Sequence, residues 1–262
     1  MAGNAARHPR RTQQGKDVNI FARIYHLLLL VLLLACGIAL ERTGVVDYFM
    51  VGENWTEMLG LALEHLRLVA ISMTLATLTG VTAGILLTRR KLRPFAGTVM
   101  YVIGLGQTIP SLAVLALVMG YLGTGATTAI FALSIYSVLP IARNTLAGIT
   151  AVPPAMIDAA KGMGMPPLRI LTAVELPNAM RVMLTGFRVA LIINIGTAAL
   201  AQLIGGGGLG ELIFTGIKLM QTDKLLAGVL PVAIMALIAD FVCGLLRYAL
   251  VPRGLRLSGK EA

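Results

Sequence analysis

Charge is scarce in this sequence. Asp, Glu, Lys and Arg supply 13% of its 262 residues while 57% are hydrophobic, whereas a soluble domain is about one-quarter charged. A mean hydropathy of +0.83 excludes water as the solvent for most of the chain and points to lipid. Histidine and cysteine are also nearly missing, with 3 and 2 residues. His8, His26 and His65 are scattered, and there is no HExxH and no pair of cysteine ligands, so neither a metal site nor zinc chemistry has a signature. Cys36 and Cys243 fall in apolar runs and are expected to be small buried hydrophobes without a disulfide. No nucleophile elbow is present, and no catalytic residue is expected.

Phosphate-binding loops are missing as well. Residues 254–261, GLRLSGKE, nearly spell one, but Glu261 stands where Ser or Thr must reach Mg²⁺, and no helix can follow. Residues 205–210, GGGGLG, fit a dinucleotide-binding spacing but follow an apolar run and not a strand. They are expected to be a flexible turn where a helix stops. The aromatics, 7 Phe, 6 Tyr and 1 Trp, are dispersed and offer no obvious box for a quaternary ammonium by cation–π contact. Asn54-Trp55-Thr56 matches a glycosylation sequon, a three-residue pattern common by chance.

What the chain does have is long apolar runs. Residues 68–87 carry no charge, and 20 residues at about 1.5 Å each cover a hydrocarbon core of about 30 Å. Further spans are expected over 24–40, 96–119, 126–142, 183–204 and 226–248, making about six and an all-α polytopic membrane protein. The first is read as a retained span, since no small-x-small cleavage pattern follows it. Ahead of the second span, Trp55, Met58, Leu59, Ala62 and Leu66 recur at helical spacing, which predicts an interfacial helix. Gly80 and Gly84 form a GxxxG suited to close helix packing.

Most of the 22 basic residues fall on one side of these spans: in the arm 1–23, in the turn at Arg89, Arg90, Lys91 and Arg93, in the segment 143–181, and in the tail 251–262. The positive-inside rule makes that side, and both termini, cytoplasmic. The formal charge of +10 thus reports topology, and nucleic acid is not the expected partner. The organisation is a basic arm 1–23, a first span 24–40, an external segment 41–65, a core 66–250 containing the loop 143–181, and a tail 251–262.

Two kinds of polar feature interrupt the spans. At Gln107, Thr108, Pro110 and Ser111 a run is broken by polar side chains and a proline that cannot donate to the carbonyl of Gly106. Pro140 does the same to the carbonyl of Tyr136. Irregular polar backbone at this depth is either a packed kink or part of a path for solute. Asn194, Thr197 and Gln202 add polar groups to a later span and are read as members of the same path. Arg188 and Asp240 fall at comparable depth on neighbouring spans, and an ion pair between them would lower the cost of burying either charge. A stand-alone ion-coupled secondary transporter is the alternative reading, but its coupling acids and inverted repeat are not evident.

The segment 158–177, DAAKGMGMPPLRILTAVELP, lies in the only long cytoplasmic loop. Pro153 and Pro154 suit a helix start, Gly162 and Gly164 a stop, Pro166 and Pro167 a restart and Pro177 an end. The pattern predicts a two-helix knob, with Ile157, Met163, Leu168, Ile170 and Leu171 needing a partner surface.

Asp158-Ala159-Ala160, three residues, Gly164, nine residues, then Val174-Glu175-Leu176-Pro177 resembles the EAA loop of ABC-importer permeases. Asp158 stands for Glu and Val174 for Ile, both mild departures. GQTIPSLA at 106–113, DAAKGMGM at 158–165 and INIGTAALAQLIGGGGLG at 193–210 resemble the glycine betaine, choline and carnitine class of those permeases. The resemblance spans about residues 65–217. It implies a methionine-importer-like permease fold in the bacterial inner membrane, with no cofactor on this chain and ATP and Mg²⁺ on separate cytoplasmic ATPase subunits. It further implies a second permease, an external solute-binding protein, and docking of the ATPase on Asp158, Ala159, Ala160, Lys161, Gly164, Leu176 and Pro177.

Overall fold

The computed structural model describes residues 41–250 without a break and residues 30, 31, 34, 35, 37 and 38 before them. The arm 1–23, most of the first expected span with Cys36, and the tail 251–262 lie outside the described residues. Among the described residues every regular element is helical: α1 Val45–Met50, α2 Gly52–Thr88, α3 Ala96–Gly106, α4 Ser111–Leu122, α5 Ala126–Thr150, α6 Pro154–Gly162, α7 Pro167–Ile170, α8 Leu176–Ala198, α9 Gly210–Leu219 and α10 Thr222–Leu250. Four stretches are long and apolar enough to cross a membrane, Gly52–Thr88, Ala126–Thr150, Pro167–Ile204 and Thr222–Ala249. The α3–α4 pair, counted as one broken span, makes five.

Several boundaries differ from the sequence expectation. The interfacial helix is continuous with the second span: α2 runs for 37 residues, about 55 Å, because no proline interrupts it. The span expected over 96–119 is instead two helices meeting at 92°. The break falls at 107–110, where Pro110 takes an extended ψ of 137° ahead of α4. Pro140 and Pro231, by contrast, lie inside α5 and α10 without ending them.

The long loop also shrinks. α5 continues to Thr150, and the later span begins at Pro167, so only residues 151–166 remain to connect them apart from α6. Pro177 closes nothing. It sits in the first turn of α8 after a π-helical turn, Leu171–Glu175, and at a helix start its missing N–H costs no ladder bond.

The centre of the fold is the bundle of α2, α5 and α8. Leu68, Val69, Met73 and Ala76 meet Ala129, Ala132, Leu133 and Ile141, with Ala190, Ile195 and Ala198 closing the third side. Lipid tails are as apolar as these side chains, so close packing and interhelical hydrogen bonds supply the attraction. Small residues make that possible: Gly80 abuts Ile141, and Gly84 abuts Thr145. α2 and α5 run toward the knob and α8 returns to the glycine-rich segment at the far end. A second cluster there joins Val45, Met58 and Leu61 to Leu209, Leu212 and Ala227.

That glycine-rich segment is not a flexible turn. Gly206, Gly208 and Gly210 are buried, and a Cβ on Gly210 would lie 1.9 Å from the carbonyl oxygen of Ala199. Glu64 accepts from the Gly208 N–H at 3.1 Å, and His65 donates through Nε2 to the carbonyl of Ile195 at 3.0 Å. The segment then leads into α9, which packs against α10 as a hairpin with Gly228 set against Ile213.

Candidate functional site

The knob begins at Pro153, whose extended backbone feeds α6. It turns at Gly164, where φ is +72°. The Gly164 N–H bonds the Lys161 carbonyl at 2.9 Å and the Met165 N–H the Ala160 carbonyl at 3.1 Å, the paired closure of a Schellman cap. Pro166 extends the chain and Pro167 opens α7, so two short helices are joined by a fixed corner.

The corner sorts the motif residues. Ala160 points inward at 1% exposure, while Ala159, Asp158 and Lys161 face outward. Lys161 donates to Asp158 at 3.0 Å across one turn. Of the five apolar residues expected to need a partner, Met163 and Leu168 are exposed, Ile157 and Leu171 are half-buried, and Ile170 is buried. Met156 is exposed beside them. Leu176 and Pro177 are half-buried at the start of α8, and Glu175 is turned inward.

The α3–α4 bend presents Gln107, Thr108 and Pro110 on an open surface, with Ser111 half-buried. It is tied to α5 at one residue. The carbonyl of Tyr136, freed by Pro140, accepts from Gln107 Nε2 at 3.3 Å, and the Tyr136 hydroxyl donates to the carbonyl of Ile109. Thr108 lines a cavity of about 400 Å³ with Arg143. The two proline positions, 30 residues apart in sequence, therefore form one junction: the defect in α5 supplies the acceptor that holds the defect between α3 and α4.

Asn194 is placed differently from that open surface. It is 1% exposed, donates to Ser137 Oγ at 2.8 Å and accepts from Ser72 Oγ at 3.1 Å, clasping α8 to α5 and α2. Thr197 is half-buried and donates to its own helix at Ile193, and Gln202 is half-buried in the 3₁₀ turn Ala199–Ile204. Among the described residues no hydrogen bond joins these three to the 107–111 break. Arg188 and Asp240 are brought together, with Nη2 to Oδ2 at 2.7 Å and Nε to Oδ1 at 2.5 Å. This two-pronged geometry links α8 to α10.

Two groupings escaped the sequence reading. Arg89 and Glu175 form an ion pair across 86 residues, and neither neighbourhood signals the other. Tyr48, Phe49 and Trp55 converge edge to face, with ring centroids 5.9 and 5.5 Å apart. Their edges pack on one another, so the grouping is a packed corner of the fold and not an open box.

Comparison with known proteins bears on the whole arrangement. The family described as "Binding-protein-dependent transport system inner membrane component" matches residues 80–255. The osmoprotectant import permease protein OsmY of Salmonella typhimurium is 47% identical over 82% of this chain and 87% of its own length. The choline transport system permease protein OpuBB of Bacillus subtilis is 42% identical over 78% and 93%. The carnitine transport permease protein OpuCB of Listeria monocytogenes is 40% identical over 81% and 96%. An inward-facing structure of the MetNI methionine ABC transporter superposes with a TM-score of 0.67 at 21% identity, covering 74% of this chain and 96% of that one, and so shares its fold. A knob closed by a left-handed glycine, on a bundle with that permease fold and a family match over 80–255, places this chain in the family of binding-protein-dependent transport system inner membrane components.

Proposed function

We propose that this chain is the permease subunit of an ATP-driven importer that carries a quaternary-amine osmoprotectant of the glycine betaine, choline or carnitine class into a bacterial cell. The observation that carries the reading is the knob. A rigid corner sets exposed Met156, Met163 and Leu168 beside Asp158 and Lys161, a mixed apolar and charged surface that a separate protein can cover. Relatives that transport osmoprotectant, choline and carnitine, at 40 to 47% identity, supply the solute class.

In this reading the knob docks on a cytoplasmic ATPase through Asp158, Ala159, Lys161 and Gly164, with Ala160, Leu176 and Pro177 supporting its shape. ATP and Mg²⁺ are bound by that partner, and this chain carries transport without hydrolysis of its own. A second permease completes the membrane unit, and an external binding protein delivers the solute and sets most of the choice among amines. Both termini and the knob face the cytoplasm, on the side where the basic residues collect. Gln107, Thr108, Pro110, Ser111 and Tyr136 form the solute path at the bend, with Thr197 and Gln202 farther along it. Asn194 serves that path by holding α2, α5 and α8 in register.

The test is uptake of labelled glycine betaine, choline and carnitine into vesicles carrying the assembled complex, with ATP or a proton gradient as the energy source. ATP-dependent accumulation that needs the external binding protein is expected. Gradient-driven uptake without ATP overturns the reading and returns the stand-alone carrier.

A further inference from the structure

Glu175 lies within the polar loop motif, yet only 8% of it is exposed. It ends the π-helical turn Leu171–Glu175 that joins α7 to α8 without a break. Compared with an uninterrupted α-helix, the extra residue of a π turn rotates the downstream helix by about 100°. Here the side chain at the end of the turn faces α2 and not solvent.

Its partner is equally constrained. Arg89 caps α2 in an extended conformation, with φ −75° and ψ 146°. Its Nε donates to Thr88 Oγ1 at 3.0 Å and to the Ile85 carbonyl at 3.3 Å. Nη2 then donates to the Glu175 carboxylate. The guanidinium is therefore fixed to the last turn of α2 before it reaches the knob helix. Beside the pair, a cavity of about 970 Å³ separates Pro154, Ile157 and Lys161 of α6 from the turn that carries Arg90 and Arg93. The first helix of the knob is not seated on α2 there.

We propose that Arg89 and Glu175 are a positioning pair that transmits displacement of the knob to α2. The knob is already continuous with α8, so a push on it moves α8 directly. α2 is packed on α5 and α8 along the bundle, and the pair adds a tie at its knob end, where the cavity lies beside α6. A carboxylate with little access to water and an anchored guanidinium do this, because separating them leaves the Glu175 charge poorly solvated. The inference rests on reading the knob as the ATPase dock.

The experiment compares the assembled complex of the wild type with Glu175→Gln, Arg89→Gln, Arg89→Lys and the double variant Arg89→Gln/Glu175→Gln. Permease abundance, ATPase co-purification and solute accumulated per ATP hydrolysed are measured. Each neutralised variant is expected to keep its ATPase subunits and hydrolysis while solute per ATP falls about tenfold. Arg89→Lys, which keeps the charge but loses the Nε bonds to Thr88 and Ile85, gives an intermediate ratio, and the double variant is no worse than either single one, as for two members of one interaction. An unchanged ratio in the neutralised variants overturns the proposal. So does a parallel fall of abundance, ATPase association and uptake, which marks a purely structural pair. Where Glu175→Gln does not accumulate, Arg89→Gln decides, since Arg89 is the more exposed partner. Loss of ATPase co-purification with the wild type removes the docking reading itself, and the pair's role with it; a docked wild type with unaffected variants removes the pair's role alone.

Discussion

At Gly84 and Gly186 one added carbon would stand 2.6 Å from Thr145 Cβ and 2.5 Å from Asn144 Cβ, whereas at Gly164 it would meet nothing within 4 Å beyond its own chain neighbours. The bundle uses glycine for the absence of a side chain; the knob uses it for a backbone conformation, φ +72°. The same contrast runs through the polar residues. Asn194, Ser72 and Ser137 are sealed among three helices, while Asp158 and Lys161 meet each other in the open. Damage to the first region should therefore appear as lost assembly, and damage to the second as lost coupling in a protein that is still present.

The strongest test of that contrast is Gly186→Leu. Its side chain would enter the backbone of α5 at the Pro140 carbonyl, 2.6 Å from even the first carbon, and overpacking of this kind costs about 3 kcal/mol. Membrane abundance after mild detergent extraction is expected to collapse. Normal abundance would mean that α5 and α8 separate more easily than their packing implies.

Next comes Asn194→Leu, which removes the bonds across helices to Ser72 and Ser137 and leaves each hydroxyl only a carbonyl of its own helix, at Val69 and Leu133, at a cost of about 2 kcal/mol for two buried hydrogen bonds. A lower melting temperature is expected, and adding Ser72→Ala and Ser137→Ala is expected to lower it little further, as for members of one network. An unchanged melting temperature in Asn194→Leu would show that the three helices are not held by this clasp.

The smallest effect belongs to the knob. Gly164→Val forces a β-branched residue into the left-handed region at a cost of about 1 kcal/mol, confined to the corner after α6, while Gly164→Asn tolerates it. Equal abundance for both, with ATPase co-purification and uptake reduced only in the valine variant, is the expected pattern. Equal uptake in both would show that the corner does not govern docking.

The knob was largely legible in the sequence because prolines and glycines act locally. Pro153, Gly164 and Pro166 each act within a residue or two of where they stand. The run of small apolar residues in α2 and the charged turn after it likewise gave the course of that span. What stayed hidden depends on contacts distant in sequence. Nothing near Tyr136 shows that Gln107 takes the carbonyl freed by Pro140, and nothing near Glu175 shows that Arg89 waits across 86 residues. Proline was the least reliable guide. Pro110 coincides with a 92° bend, Pro140 and Pro231 are absorbed in α5 and α10, and Pro177 is accommodated by the π turn before it. A proline's missing donor is the same in each case, and only the available substitute differs. Asn194 reads as a path residue from polarity alone, and only the packing of Ser72 and Ser137 around it shows a clasp.

The run from Pro167 to Ile204 is helical for 38 residues and so is about 55 Å long. Half of the knob and an entire crossing of the bundle thus share one continuous helical crank, with a π turn near one end and a 3₁₀ turn at the other. A tilt of about 5° at one tip swings the other by about 5 Å at that length, roughly the height of a helical turn. That far tip ends at Gly205, against the start of α5 through the Gly125 N–H to Ile204 carbonyl bond of 2.8 Å. A small tilt at the knob therefore arrives at the glycine-rich end of the bundle as a displacement of several ångströms.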